Sequence, residues 1–292
     1  MSGLEDEVAA FRGRVESAGL AAFADSLVRL ARPSIRLTPD LSAQTHSLRT
    51  SRLGGAPDLP TGTPWPRDDA SHLSFIAQVN LADVAPYDVD GALPRDGLLS
   101  FFYDAVSQDA WGFDPVDHGA SAVLYTPAGI PVEPRRLPSD LTDQGVFDAF
   151  TLKPMAEMTF APWESFDIES VGMTRDERFA YAELFAYAEL FDDENATKHR
   201  LLGHPDPVQG DMQLECQLAT NGLYCGDSTG YQDPRAAELS PGAADWRLLM
   251  QIDSEDEADM MWGDVGRLYY WIRKSDLVDR NWELTWLVLQ CG

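Results

Sequence analysis

"LSFIAQVN" (Leu73 to Asn80) and "RLLMQID" (Arg247 to Asp253) decide how this chain is read, because each is a strand-length apolar run with a glutamine near its end. Aligned on that glutamine, Gln78 matches Gln251 and Asn80 matches Asp253. A second pair follows in the same order, "GLLSFFYD" (Gly97 to Asp104) and "GRLYYWIR" (Gly266 to Arg273). Gly97 follows Gln78 by 19 positions and Gly266 follows Gln251 by 15, so similar strands are joined by loops of unequal length. Two apolar runs in a fixed order, with a Gln at the same point, indicate internal duplication. We therefore expect two related β-rich halves facing one another, about residues 53–150 and 200–292.

The surrounding sequence agrees. "SAVLY" and "TWLVLQ" are further strand-length runs rich in aromatic or β-branched residues,. Between Trp262 and Gly266, "WGDVG" is a turn, with Gly263 and Gly266 free to take positive φ and Asp264 able to bond its own backbone two residues on,. In the strand it feeds, Leu268 and Tyr270 point one way and Tyr269 and Trp271 the other. Tyr-Tyr-Trp-Ile is too apolar for one wet face, so both faces are expected to be covered. Five of the eight tryptophans lie between Trp246 and Trp286, which places a dense core near the C-terminus.

Helices are fewer. Ser2-Gly3-Leu4-Glu5 reads as a capping box before two short amphipathic helices that end before Pro33,. Thr174 to Glu177 is a second box, and the helix after it, 174–191, bridges the two halves. It contains AYAELF twice in tandem, at 180–185 and 186–191. Six residues turn a helix by about 600°, so the second copy points about 240° from the first. Tyr181, Leu184, Phe185, Ala188 and Phe191 can share a stripe, while Tyr187 and Leu190 face elsewhere. The domain division is N-terminal helices at 1–33 and a β-rich domain at 34–292.

Composition narrows the function. The 292 residues carry 48 acidic and 22 basic side chains, a net charge of −26. Nucleic-acid binders neutralise phosphates with Lys and Arg, so nucleic acid and anionic membrane are excluded as expected partners; a basic protein fits the charge. Acidity also simply keeps a protein in solution. The N-terminus lacks a basic start and apolar core, and no apolar stretch approaches the ~20 residues of a membrane span. Three cysteines without CxxC spacing fit a reduced cytoplasmic setting,.

Candidate chemistry is sparse. The acidic run Asp253, Glu255, Asp256, Glu257, Asp259 lacks the EF-hand pattern, having Ala258 at the sixth and Asp264 at the twelfth position, and reads as a solvated loop,. No cofactor or metal is expected. "LLGHPDPVQGDM" (Leu201 to Met212) places His204 near Asp206 and Asp211, a set that could serve acid–base chemistry, although Asp beside Pro and Gly is also ordinary turn chemistry,. No nucleophile elbow, phosphate loop or HExxH is present.

"GGAPDLPTGTPWP", "LSFIAQVNL", "LLGHPDPVQGDM", "LLMQIDS", "MMWGDVGRLYYWIRKSDL" and "WLVLQCG", in that order, resemble the bacterial YwqG-like family, a domain of unknown function, from about Ile35 to the C-terminus. The resemblance implies a β-rich, roll-like α+β fold with helices attached outside, and it brings no catalytic residues. The tandem AYAELF and the acidic "DDEN" at the end of its helix depart from that family. Our expectation is a non-enzymatic acidic module of immunity or regulatory type that binds a basic protein; the alternative is a hydrolase using His204 with Asp206 or Asp211, with or without a metal. If the halves leave a cleft between them, Trp65, Gln78, Gln251, Trp262 and Asp264 are expected to line it.

Overall fold

Two proline-bearing segments that look unlike strands form the middle of the sheet. The structure, a computed structural model, describes residues 2–40, 42, 47–189 and 197–292, with backbone alone for 2 and 186–189. The strands are β1 (Arg32–Asp40), β2 (Arg52–Leu53), β3 (Asp58–Leu59), β4 (Ser74–Asn80), β5 (Leu98–Tyr103), β6 (Ser121–Thr126), β7 (Glu133–Pro134), β8 (Phe150–Thr159), β9 (Arg200–Leu201), β10 (Trp246–Asp253), β11 (Arg267–Arg273) and β12 (Trp286–Gln290). Ten of them join one antiparallel sheet in the order β12-β11-β10-β9-β1-β8-β2-β4-β5-β6, and β3 pairs with β7 separately. From the central pair, the order runs outward through β9, β10, β11 and β12 on one side and through β2, β4, β5 and β6 on the other.

The seam is the long pairing of β1 with β8, from Arg32 opposite Thr159 to Asp40 opposite Thr151. Pro154 sits within it, opposite Leu37. A proline has no N–H to donate, and here none is required. The Leu37 N–H turns away from β8 to the His199 carbonyl at 2.9 Å, so Leu37 and Pro154 do not exchange ladder bonds. On its other side β8 meets β2 only at Phe150 and Thr151, short of the proline.

Alternation then sorts the side chains. Leu268, Tyr270 and Ile272 of β11 join an inner cluster with Ile76, Val79, Phe101, Met250 and Ile252. Tyr269 and Trp271 join Trp246, Trp286 and Val288 on the outer face, so both faces of β11 are covered. The sheet rolls until its flanks meet: the Phe101 and Tyr270 rings lie 5.1 Å apart, and the Tyr270 hydroxyl donates to the Phe102 carbonyl at 3.3 Å. Each large side chain so buried contributes roughly 2–3 kcal/mol. Trp262, fully buried, closes one end of the roll against Tyr103 and Phe147, with ring centroids at 6.2 and 5.5 Å. In the turn that delivers it, Gly263 has φ 56°, while Gly266 is required for space instead, since a Cβ there would lie 2.3 Å from the Gln290 carbonyl oxygen.

Helices cover the outside. The N-terminal helix Ser2–Ser17 and the helix Ala24–Leu30 bury Phe11, Val15, Ala24 and Leu27 against Ala161, Ile168 and Tyr181, the last from the helix Arg175–Glu189. The capping box at Thr174 forms, with the Thr174 hydroxyl and N–H both donating to Glu177 at 2.7 Å. Residues 2–30 are therefore not a separate unit. They share a core with 160–185, and the expected boundary at 33 falls inside β1 because the chain enters the sheet directly from its second helix. The stripe expected at Ala188 and Phe191, the divergent Tyr187 and Leu190, and the "DDEN" segment lie outside the described side chains, as does that of Ser2 in the first capping box.

Candidate functional site

The two glutamines are fully buried, and every polar atom of their side chains is bonded. Gln78, fully buried on β4, accepts from the Asp58 N–H at 2.9 Å and donates to the Asp58 carboxylate at 2.9 Å and the Thr50 carbonyl at 3.1 Å. Gln251, fully buried on β10, accepts from the Asp206 N–H at 2.9 Å and donates to the Asp206 carboxylate at 3.0 Å and the Lys198 carbonyl at 2.6 Å. Each carboxylate also meets a guanidinium, Asp58 with Arg52 at 3.0 Å and Asp206 with Arg200 at 2.7 Å. Arg52 further donates to the Ala56 carbonyl and Arg200 to the His204 carbonyl.

The local sequences behind this arrangement also repeat. "RLGGAPD" (52 to 58) and "RLLGHPD" (200 to 206) match at Arg, Leu, Gly, Pro and Asp. The backbone follows suit. β4 bulges between Phe75 and Ala77 and β10 between Leu248 and Met250, each just before its glutamine. The bulged residues Ile76 and Leu249 accept from Gly54 N–H at 2.9 Å and Leu202 N–H at 3.1 Å. Each set closes a loop onto its strand with no polar atom of the glutamine left over for a guest.

The expected shared cleft does not form around these residues. Gln78 and Gln251 have separate partners, one set in each half. Trp65 packs on the outer face against Phe102, its indole N–H donating to the Leu73 carbonyl at 2.7 Å, whereas Trp262 lies inside the roll and donates to the Asp253 carbonyl at 3.1 Å. Asp264 is exposed in the turn, which is closed by the Gly266 N–H on the Trp262 carbonyl at 2.8 Å instead of by the aspartate side chain. Both tryptophans come from loops, Trp65 from the one before β4 and Trp262 from the one before β11, and the two loops deliver them to opposite faces of one sheet.

His204, Asp206 and Asp211 are likewise committed elsewhere. The buried His204 ring donates from Nε2 to the Leu30 carbonyl at 2.7 Å, pinning the helix Ala24–Leu30 to the sheet. Burial, then the nearby Arg32 charge, hold its pKa well below the usual histidine value. Burial pushes the Asp206 carboxyl up, but the cations around it, Arg200 first, leave it lowered overall. Asp211 accepts from the Phe166 N–H and the Leu214 N–H, both at 3.1 Å, tying the first turn of the helix Gln213–Ala219 to the start of the turn at Phe166. The crevice bordered by His204 and Asp211 holds about 10 Å³, room for one water at most,. On that helix, burial and then Asp211 and Asp117 push Glu215 up to about 7.

The acidic run is only half solvated. Asp253 pairs with Arg267 at 2.9 Å and accepts from the Lys198 N–H, and Glu255 accepts from the Thr197 hydroxyl beside His199, so both are buried; Asp256, Glu257 and Asp259 remain exposed. Among the described residues no group of three or more His, Cys, Asp or Glu side chains could hold a metal ion.

An open pocket lies at the end of the roll opposite Trp262. It measures about 450 Å³ and gathers the start of β1, the loop after β4, the end of β9, the start of β10 and the helix Lys274–Asp279. Its walls include Ile35, Leu202, Leu248 and Leu277, with Arg32, Arg247 and Lys274 among them.

Fold and site together define a rolled antiparallel α+β scaffold with two stapled loops and a basic, apolar-walled pocket. Residues 51–291 match the model described as "Domain of unknown function (DUF1963)", and the chain belongs to that family. No curated protein matches it. Among the described residues no helix is long and apolar enough to cross a membrane.

Proposed function

We propose that the chain is a non-enzymatic, regulatory or immunity-type module that binds a basic protein in the cytoplasm, and that within its family it is YwqG-like and arose by internal duplication. The observation that carries the binding reading is the placement of charge. The most sequestered guanidiniums, Arg52 and Arg200, are 6% exposed and, like Arg32 and Arg267, are neutralised by carboxylates inside the fold. The excess acid behind the net charge of −26 is thus left to the surface, where it accelerates encounter with a cationic partner and makes it salt-sensitive. The position-for-position match of the two stapled loops supports duplication, and three buried free cysteines fit a reducing compartment,.

Affinity capture from native extract at low and then moderate salt tests this reading. A basic protein should be retained at low salt, released as salt rises, and held more weakly when Asp256, Glu257 and Asp259 are changed to Asn, Gln and Asn. Recovery of no partner at either salt would overturn the proposal. The hydrolase alternative requires His204, Asp206 and Asp211 to gather around an open site, and their present partners leave it the weaker reading.

A further inference from the structure

The cavity at the open end of the roll carries an inference independent of the protein-binding reading. In a chain with 22 basic residues against 48 acidic, three of the basic ones line one apolar pocket. Arg32 is neutralised there by Asp167 at 2.5 Å. The other two are not. Arg247 spends Nη1 on the Ala244 and Trp246 carbonyls, at 3.0 and 2.7 Å, and pairs with no carboxylate among the described residues. Lys274 makes no hydrogen bond or ion pair to any described residue.

The acids on the same wall do not supply the missing charge. Asp88 accepts from the Ala92 and Leu93 N–H groups at 3.1 and 2.8 Å, holding its own loop in place, and Asp90 is exposed at the rim. Burial and then Arg32 lower the Arg247 pKa to about 10, and burial, Arg247 and Arg32 lower that of Lys274, with Asp167 and Asp245 offsetting only part of the effect on each. Both cations therefore border the same pocket, Arg247 half-buried and Lys274 exposed at its rim, where an anion relieves their repulsion,.

We propose that this pocket binds a small amphipathic organic carboxylate, its head between Arg247 and Lys274 and its apolar body against Ile35, Leu248 and Leu277. A volume of about 450 Å³ suits a small molecule,. The apolar walls select against small inorganic anions, which have no surface to bury there.

Calorimetric titration of the full chain with octanoate, octylammonium and acetate tests the assignment. Octanoate should bind at one site per chain, with octylammonium and acetate at least roughly tenfold weaker. Lys274→Met removes one cation, and Val278→Glu adds a carboxylate to the same wall; both positions are exposed, so the fold tolerates either change. Each should weaken octanoate by roughly tenfold, the equivalent of one charge-assisted contact, with an unchanged unfolding temperature. Octylammonium binding as tightly as octanoate, octanoate binding indifferent to both variants, or no octanoate heat at millimolar concentration would each overturn the proposal.

Discussion

The two stapled loops use the same three residue types in the same geometry, yet they occupy different surroundings. The Asp58 side chain is 3% exposed, whereas that of Asp206 is 29% exposed. Around the first, Gly54 and Gly55 press against Asp148 and Ala149, where a Cβ would lie within 2.1 and 2.9 Å of a neighbour. Around the second, the equivalent positions are Leu202 and Gly203, and the loop is wired outward: Arg200 also meets Glu157 at 2.9 Å, and the Asp206 carbonyl accepts from Tyr269 and Arg267. One motif therefore acts as a sealed core element in the first half and as a junction for a wider ionic network in the second. The lesson is that a repeated hydrogen-bond pattern sets local geometry, while burial sets what its loss costs.

The strongest way to break that comparison is to remove each carboxylate. Asp58→Ala leaves the Arg52 guanidinium buried and unpaired and should cost about 3–5 kcal/mol in urea unfolding. Asp206→Ala, partly open to water and with Glu157 still beside Arg200, should cost about 1–3 kcal/mol. Equal losses would show that exposure does not separate the sites. Both carboxyls sit below the usual carboxylate value, despite burial, because Arg52 and Arg200 hold them ionised. Their stabilisation is fully present above that value and is lost as pH falls below about 4.

Gln78→Ala and Gln251→Ala sharpen the equivalence, since each removes the same three contacts. Both should cost about 2 kcal/mol, and a difference above about 1 kcal/mol would mean that the matching contacts are not energetically alike. His204 has a pKa below the unfolded value near 6.5, so the unfolded state takes up its proton first. Stability should accordingly fall on acidification from pH 7 toward pH 5, by up to about 1.4 kcal/mol per unit. His204→Gln should flatten that slope in thermal melts. The smallest effect is expected outside both staples, at Glu215. Its carboxyl is protonated in the fold up to about pH 7 but ionised in the unfolded chain above about 4.5, so it destabilises increasingly across that window,. Glu215→Gln should therefore stabilise by about 1–2 kcal/mol at pH 8 and by almost nothing at pH 4.5.

Much of the rolled sheet was legible because β4, β5, β10 and β11 are long apolar runs, and the glutamines mark their equivalent points. The middle was not. β1 carries Pro33 and Pro39, β8 carries Pro154, and proline in a central strand ordinarily argues against one,. Only the pairing register shows that Pro154 faces a side where no ladder bond is needed. The short β2 and β9, two residues each, carry no periodicity at all. Their signal is instead the repeated Arg-Leu and Pro-Asp spacing, which places Arg52 and Asp58 in turn-like sequence without apolar periodicity, whereas Gln78 sits in a strand-length run. The cavity cations were invisible for another reason: Arg32, Arg247 and Lys274 are far apart in sequence and meet only because β1, β10 and β11 share an end.

The seam between β1 and β8 also sets a timetable for synthesis. β1 leaves the ribosome well before the strand it pairs with along its whole length, which begins only at Phe150. At translation rates of 5–20 residues per second, the first strand waits on the order of ten seconds for its partner. The β9 edge that covers its other side arrives later still. Pro33 and Pro39 suit a strand that must stay single for so long, because each removes a donor that a wrong neighbour could use.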